Sequence, residues 1–296
     1  MTRRSIKWLV IALVFGGCNF QQIVKLVPDA WVFWYADRNL EWIAFRYVNH
    51  YVDLTSEQKE IYEPKVEQLT NQLISKELPK IREALEELKK AVERGLTVPD
   101  LDYAERAYEG LRERVVSHVS SDAVNLVMSL NKAQLEHFRA KLIESNDELT
   151  AALRLSDPSK FDKKANRYHE RFVDKVEYWT GALSKEQTAL VKHSFPVTRE
   201  DMTKLLKMRE EVHATLYDIV VSKDREKMEA QFIRWGNNPA ANRSEEYRQY
   251  ATERKDSTKK FVLELDGTLT EGQRARVLKK MQTVIDGLSR LSRRDP

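Results

Sequence analysis

Beyond residue 52 the chain repeats one pattern: apolar positions return every three or four residues, with charged residues between them. Ile81, Leu85, Leu88 and Val92 make one such stripe. Phe172, Val173, Val176 and Trp179 make a second, and Leu205, Met208, Val212, Leu216 and Ile219 a third. That period is the signature of helices with one face turned to a core. Strand-type alternation is not sustained anywhere. The predicted fold is therefore all-α, an elongated bundle of roughly eight to ten helices following a signal peptide and a short tether.

Helix-ending and helix-starting residues divide the pattern. Gly95 follows Arg94 and precedes Pro99, so a helix is expected to stop near residue 94. Asp157-Pro158 reads as an N-cap with proline in the first helical position. Gly181 and Gly267 read as C-terminal caps, and Asn237-Asn238-Pro239 as a loop. Pro64 and Pro79 fall inside helical pattern, where an interior proline costs about 3 kcal/mol, so kinks or breaks are expected there. The expected organisation is a signal peptide (1–17), a tether (18–29), an N-terminal helical half (30–156), a C-terminal half (157–292) and a frayed tail (293–296).

One short pattern occurs four times: Leu54-Thr55-Ser56-Glu57-Gln58, Leu130-Asn131-Lys132-Ala133-Gln134, Leu183-Ser184-Lys185-Glu186-Gln187 and Leu269-Thr270-Glu271-Gly272-Gln273. Thr55, Asn131, Ser184 and Thr270 each offer a side-chain oxygen to cap a helix. The glutamine three residues on reaches back to the N-cap amide, closing a capping box. The leading leucine sits just outside the cap, placed to pack on the new helix. Val124 to Met128 already has helical pattern, so the second copy reads either as a helix start or as a mid-helix segment.

The first residues have a different layout. Arg3, Arg4 and Lys7 precede an unbroken apolar run of eight residues, Trp8 to Phe15. A run this short does not span a bilayer, which takes about 20 apolar residues. It matches the apolar region of a secretory signal. Phe15-Gly16-Gly17-Cys18 resembles the lipobox of bacterial lipoproteins, with Phe15 standing where an aliphatic residue is usual. The resemblance implies cleavage between Gly17 and Cys18 and acyl chains such as palmitate on the Cys18 thiol. Several acyl chains make an anchor that does not dissociate, whereas one chain binds only reversibly. By the same resemblance, Asn19 rather than aspartate after the cysteine implies the outer membrane, with the protein facing the periplasm.

Charge and cysteine usage narrow the function classes. The chain has 50 basic and 46 acidic residues; without Arg3, Arg4 and Lys7 the basic count is 47. The apparent basicity thus belongs mostly to the leader, which argues against a nucleic-acid partner. Cys18 is the single cysteine, so neither an internal disulfide nor a thiolate metal cluster is expected. The six histidines, His50, His118, His137, His169, His193 and His213, show no metal-ligand spacing; His169-Glu170 comes nearest and reads as a solvated pair. Phosphate-binding glycine loops and a nucleophile elbow are missing from the sequence. No cofactor is expected. The expectation is a non-enzymatic protein, with one enzymatic alternative: a periplasmic hydrolase whose carboxylates meet only in the fold.

The stretch from Trp31 to Tyr51 is rich in aromatic residues. Trp31, Trp34, Tyr35 and Trp42 are candidates for contact with a partner or a membrane interface, since Trp and Tyr favour that position. The same residues also suit a bundle core.

The four boxes resemble the LTxxQ motif of small periplasmic stress chaperones. Leu40-Glu41-Trp42, Tyr51 to Gln58, Glu77-Leu78-Pro79, Tyr178 to Gln187, Trp235 with Pro239, and Leu269 to Gln273 together resemble a family of uncharacterised, all-helical Gram-negative lipoproteins. The likeness runs from about Asn39 to Leu291 and departs from the pattern at Leu73-Ile74-Ser75-Lys76. It implies fold and location rather than an activity. The function expected is that of a lipid-anchored envelope protein that binds an unidentified protein partner or supports the envelope, with a chaperone-like role among the readings.

Overall fold

A computed structural model of the chain describes residues 45, 46, 48–240 and 243–292. Among them are ten α-helices and no strand. A helical segment at 48–52 leads into α1 (Ser56–Gln72), which passes through a π-helical turn (Leu73–Glu77) into α2 (Leu78–Arg94). Then come α3 (Val98–Ser129), α4 (Lys132–Leu153), α5 (Pro158–Thr180), α6 (Lys185–Ser194), α7 (Arg199–Ser222), α8 (Arg225–Asn237), α9 (Glu245–Thr268) and α10 (Glu271–Leu291).

Most of the helix boundaries follow the local chemistry. Gly95 ends α2 with φ 94°, and Gly181 ends α5 with φ 86°, conformations that glycine adopts without penalty. Asp157 caps α5 through Lys160 N–H, with Pro158 at the first position. Gly267 is different: α9 continues through Thr268, and Leu269 turns the chain out in extended conformation, so the expected glycine cap does not form. The reason is the box that follows, whose N-cap Thr270 needs extended backbone on its approach.

The two prolines also differ. Pro64 lies within α1, which runs past it unbroken. Pro79 follows the π turn, where Leu78 N–H donates to Leu73 O, five residues back. Pro79 has no N–H and its ring crowds the carbonyl four residues before it, which accounts for a widened turn there. The turn falls on the segment where the sequence departs from the family pattern.

Four buried clusters run through the bundle. Val52, Leu54, Leu130, Phe138, Leu142, Leu216 and Val220 form one. Val124, Ile219 and Met228 form another, and Leu155, Phe161, Ala165 and Leu206 a third. The fourth joins Val176, Val191, Phe195 and Phe261; the Phe195 ring meets those of Phe172 and Phe261 edge-on at 4.8 and 4.9 Å. The packing of α8 on α3 and of α10 on α2 crosses the division at residues 156 and 157. Where α8 meets α3, Gly236 lies so close that a Cβ on it would fall 2.4 Å from Val116 Cγ1.

Candidate functional site

All four boxes start helices, the second included, so Asn131 opens α4 rather than sitting within a longer helix. In each, the N-cap oxygen accepts the glutamine N–H. The glutamine Oε1 accepts the N-cap N–H at 3.0 Å: Gln58 to Thr55, Gln134 to Asn131, Gln187 to Ser184 and Gln273 to Thr270.

The boxes also pair, which a capping motif alone does not require. Gln58 Nε2 donates to Gln134 Oε1 at 3.3 Å, and Gln134 Nε2 donates back to Gln58 Oε1 at 2.6 Å. Their remaining amide hydrogens go to Ser129 O (3.1 Å) and Asp53 O (3.0 Å). Gln187 and Gln273 do the same, at 3.0 and 2.9 Å, with Thr268 O and Ala182 O as further acceptors, both at 2.9 Å. In every case that acceptor is the residue just before the partner box's leucine. Each amide thus uses two donors and two acceptor positions, its whole capacity. Glutamate has no hydrogen to give and asparagine is a methylene shorter, so the motif's glutamine follows from the pairing.

A cation closes the carbonyl end beside each clasp. Lys223, at φ 53°, donates through Nζ to Val127 O, Met128 O and Leu130 O at the end of α3. Arg274 bonds Val92 O at the end of α2, and Asp266 Oδ1 and O at 2.8 and 2.9 Å. The other oxygen of the buried Asp266 accepts Leu96 N–H at 2.9 Å.

Several ion pairs link helices elsewhere. Glu77, in the π turn and buried, accepts from Lys80 (2.9 Å) and from Arg114 on α3 (2.8 Å). Burial pushes the Glu77 carboxyl up, but hydrogen bonds from Lys80 and Arg114 outweigh it and leave it below its ordinary value. Glu105 behaves likewise: burial raises it, and Lys255 and Lys259 bring it down further. Hydrogen bonds from Arg94 and then Thr97 hold Asp100 at about 2. Burial, reinforced by Arg209, lowers His213 to about 4. A further box, Thr97 with Asp100 at the start of α3, and the guanidinium of Arg112 on Gly236 O and Asn237 O (2.6 and 3.1 Å) at the end of α8 were not anticipated. The run Thr-Val-Pro-Asp carried the first signal; the second has none, because its partners are 124 and 125 residues apart.

Two hollows adjoin these elements. One, of about 40 Å³, lies between α7, Trp235 and Tyr247, beside Glu211 and Arg243. That is far below the roughly 300 Å³ of a small-molecule site. The other is an open depression at the second clasp, lined by Leu183, Ser184, Gln187, Thr268, Thr270 and Gln273 among others. Among the described residues no group of three His, Cys, Asp or Glu is placed to hold a metal, and no helix is long and apolar enough to cross a membrane. His169 is not a solvated pair with Glu170: its Nε2 lies 3.1 Å from Phe195 O. Gly17, Cys18, Trp31, Trp34, Tyr35 and Trp42 lie outside the described residues.

A family model described as a family of unknown function (DUF6279) matches residues 50–248. The span takes in the first three boxes and ends within α9, before the fourth. No curated protein and no solved structure matches the chain.

Proposed function

We propose that this chain, which belongs to the family of unknown function DUF6279, is a lipid-anchored envelope protein that works by binding another protein rather than by catalysis. Its anchor is an acylated Cys18, and its place the periplasmic face of the outer membrane. The observation that carries the reading is the pair of glutamine clasps. They commit the most regular polar motif of the chain to holding helix ends in fixed register, as suits a scaffold that presents helix faces. The Phe15-Gly16-Gly17-Cys18 run supplies the attachment. The ion pairs of Glu77, Asp100, Asp102 and Glu105, each carboxyl lowered with a cation as partner, support the same reading, since they too are spent on holding segments together.

The test has two arms. Fatty-acid labelling of wild type against Cys18→Ala reads the anchor, and equal labelling overturns it. In-cell crosslinking followed by pull-down reads the partner, and capture of no protein above the Cys18→Ala background overturns the binding role. The chaperone-like version predicts that the protein suppresses aggregation of an unfolded client; no suppression at several-fold excess rejects that version alone.

A further inference from the structure

Helix α5 is two-sided. Phe161, Ala165, Val176 and Thr180 are buried, and Phe172 and Val173 pack on the core beside them. On the opposite side Lys160, Lys163, Lys164, Arg167 and Arg171 recur at helical spacing and are all exposed. Lys160 pairs with Asp157 at 2.7 Å. The other four have no ion pair or hydrogen bond among the described residues. On α2, by contrast, Arg82, Lys89 and Lys90 each reach a glutamate one turn away. Five cations thus stand on this side of α5 with the exposed Glu170 and Asp174 beside them, a local excess of cations on a molecule that is nearly neutral without its leader.

We infer that Lys163, Lys164, Arg167 and Arg171 form a docking face for an anionic phospholipid surface. The four lie within about 12 Å along a straight helix, at 1.5 Å per residue. A straight helix lying against a plane brings all of them to the headgroups at once. Each cation held near an anionic leaflet strengthens binding about fivefold, an attraction that dies away within a Debye length. Charge complementarity supplies the anion, and its identity as a bilayer rests on the membrane attachment proposed above. A surface contact of this kind would orient the helical body relative to the membrane, which an acyl tether alone does not.

The full chain is tested by flotation with vesicles of phosphatidylcholine alone and of phosphatidylcholine mixed equally with phosphatidylglycerol. Comparing variants within the full chain cancels the contribution of the apolar leader. Wild type is expected to bind the anionic vesicles at least about tenfold more tightly at low salt, with the preference lost at high salt. The variant Lys163→Glu/Lys164→Glu/Arg167→Glu/Arg171→Glu is expected to lose the preference at unchanged helicity; should it unfold, the four-glutamine variant takes its place. Equal binding by wild type and variant overturns the inference, as does a stronger affinity for duplex DNA or polyphosphate than for the vesicles. Cys18 labelling separates the two proposals. A stripe-dependent preference without labelling keeps the docking face and removes the anchor; labelling without that preference does the reverse.

Discussion

Gln58 and Gln134 face each other inside the apolar cluster of Leu54, Leu130, Phe138 and Leu216, with 8 and 5 % of their surface exposed. Gln187 and Gln273 make the same bonds at the edge of an open depression: Gln187 is buried at 4 %, while Gln273 is only half-buried. Their leucines differ in the same sense. Leu54 and Leu130 are core residues, whereas Leu183 and Leu269 are half-buried. The flanking cations differ too, because Lys223 meets only carbonyl oxygens while Arg274 adds an ion pair to Asp266. Identical hydrogen bonds thus stand in unlike dielectric surroundings. A buried donor or acceptor that loses its partner costs about 1–3 kcal/mol, and one that water reaches costs less. The first clasp should be the costlier to break and the second the easier to open.

The largest effect is expected from Gln134→Leu, which strands Asn131 N–H, Asp53 O and part of the Gln58 amide. We expect a loss of about 3–5 kcal/mol in urea unfolding, against about 1–3 for Gln273→Leu. Equal losses would remove burial as the difference between the clasps. Next is Gly236→Ala, which drives a methyl into Val116 across α3 and α8. Overpacking of this kind costs about 1–3 kcal/mol, and amide exchange should show it speeding up α3 and α8 before α10. A double-mutant cycle on Gln187→Ala and Gln273→Ala should return a coupling of about 1 kcal/mol, and additive losses would mean the two amides act separately.

Acid should separate the regions further. His213 belongs to α7, beside Leu142 of the first clasp's cluster, and its folded value of about 4 lies below the ordinary 6.5. The unfolded chain therefore binds the extra proton first. Stability is fully present above about pH 6.5 and falls as pH drops toward 4. His213→Phe should flatten that fall, and exchange rates at the two pH values should change in α7 more than in α10. The smallest effect is expected at the caps, where Thr55→Ala and Thr270→Ala should each cost about 1 kcal/mol, read as a shift in unfolding midpoint.

Much of the architecture could be read from the residues, because its causes are local. Capping boxes, Gly95, Gly181 and Asp157-Pro158 each fix a helix end through neighbours within a few positions. Gly267 misled because the chemistry deciding that helix end lies downstream, in the Thr270 box. The joining of Gln58 to Gln134 and of Gln187 to Gln273 was hidden, since a capping box is complete without a second copy. The regularity of the four glutamines was its one trace. The interlocking of α2 with α10 and of α3 with α8 depends on contacts far apart in sequence, which periodicity does not encode.

The clasps have a topological consequence. Each ties together residues far apart along the chain, 76 positions in the first and 86 in the second. A disulfide across a loop of that size would act on the unfolded chain, whose freedom it restricts. This chain has a single cysteine and cannot make one within itself. The two amide pairs act only while the helix ends are in place, insensitive to redox state and without a titrating group. They release when the helix ends they join move apart and re-form when those ends return.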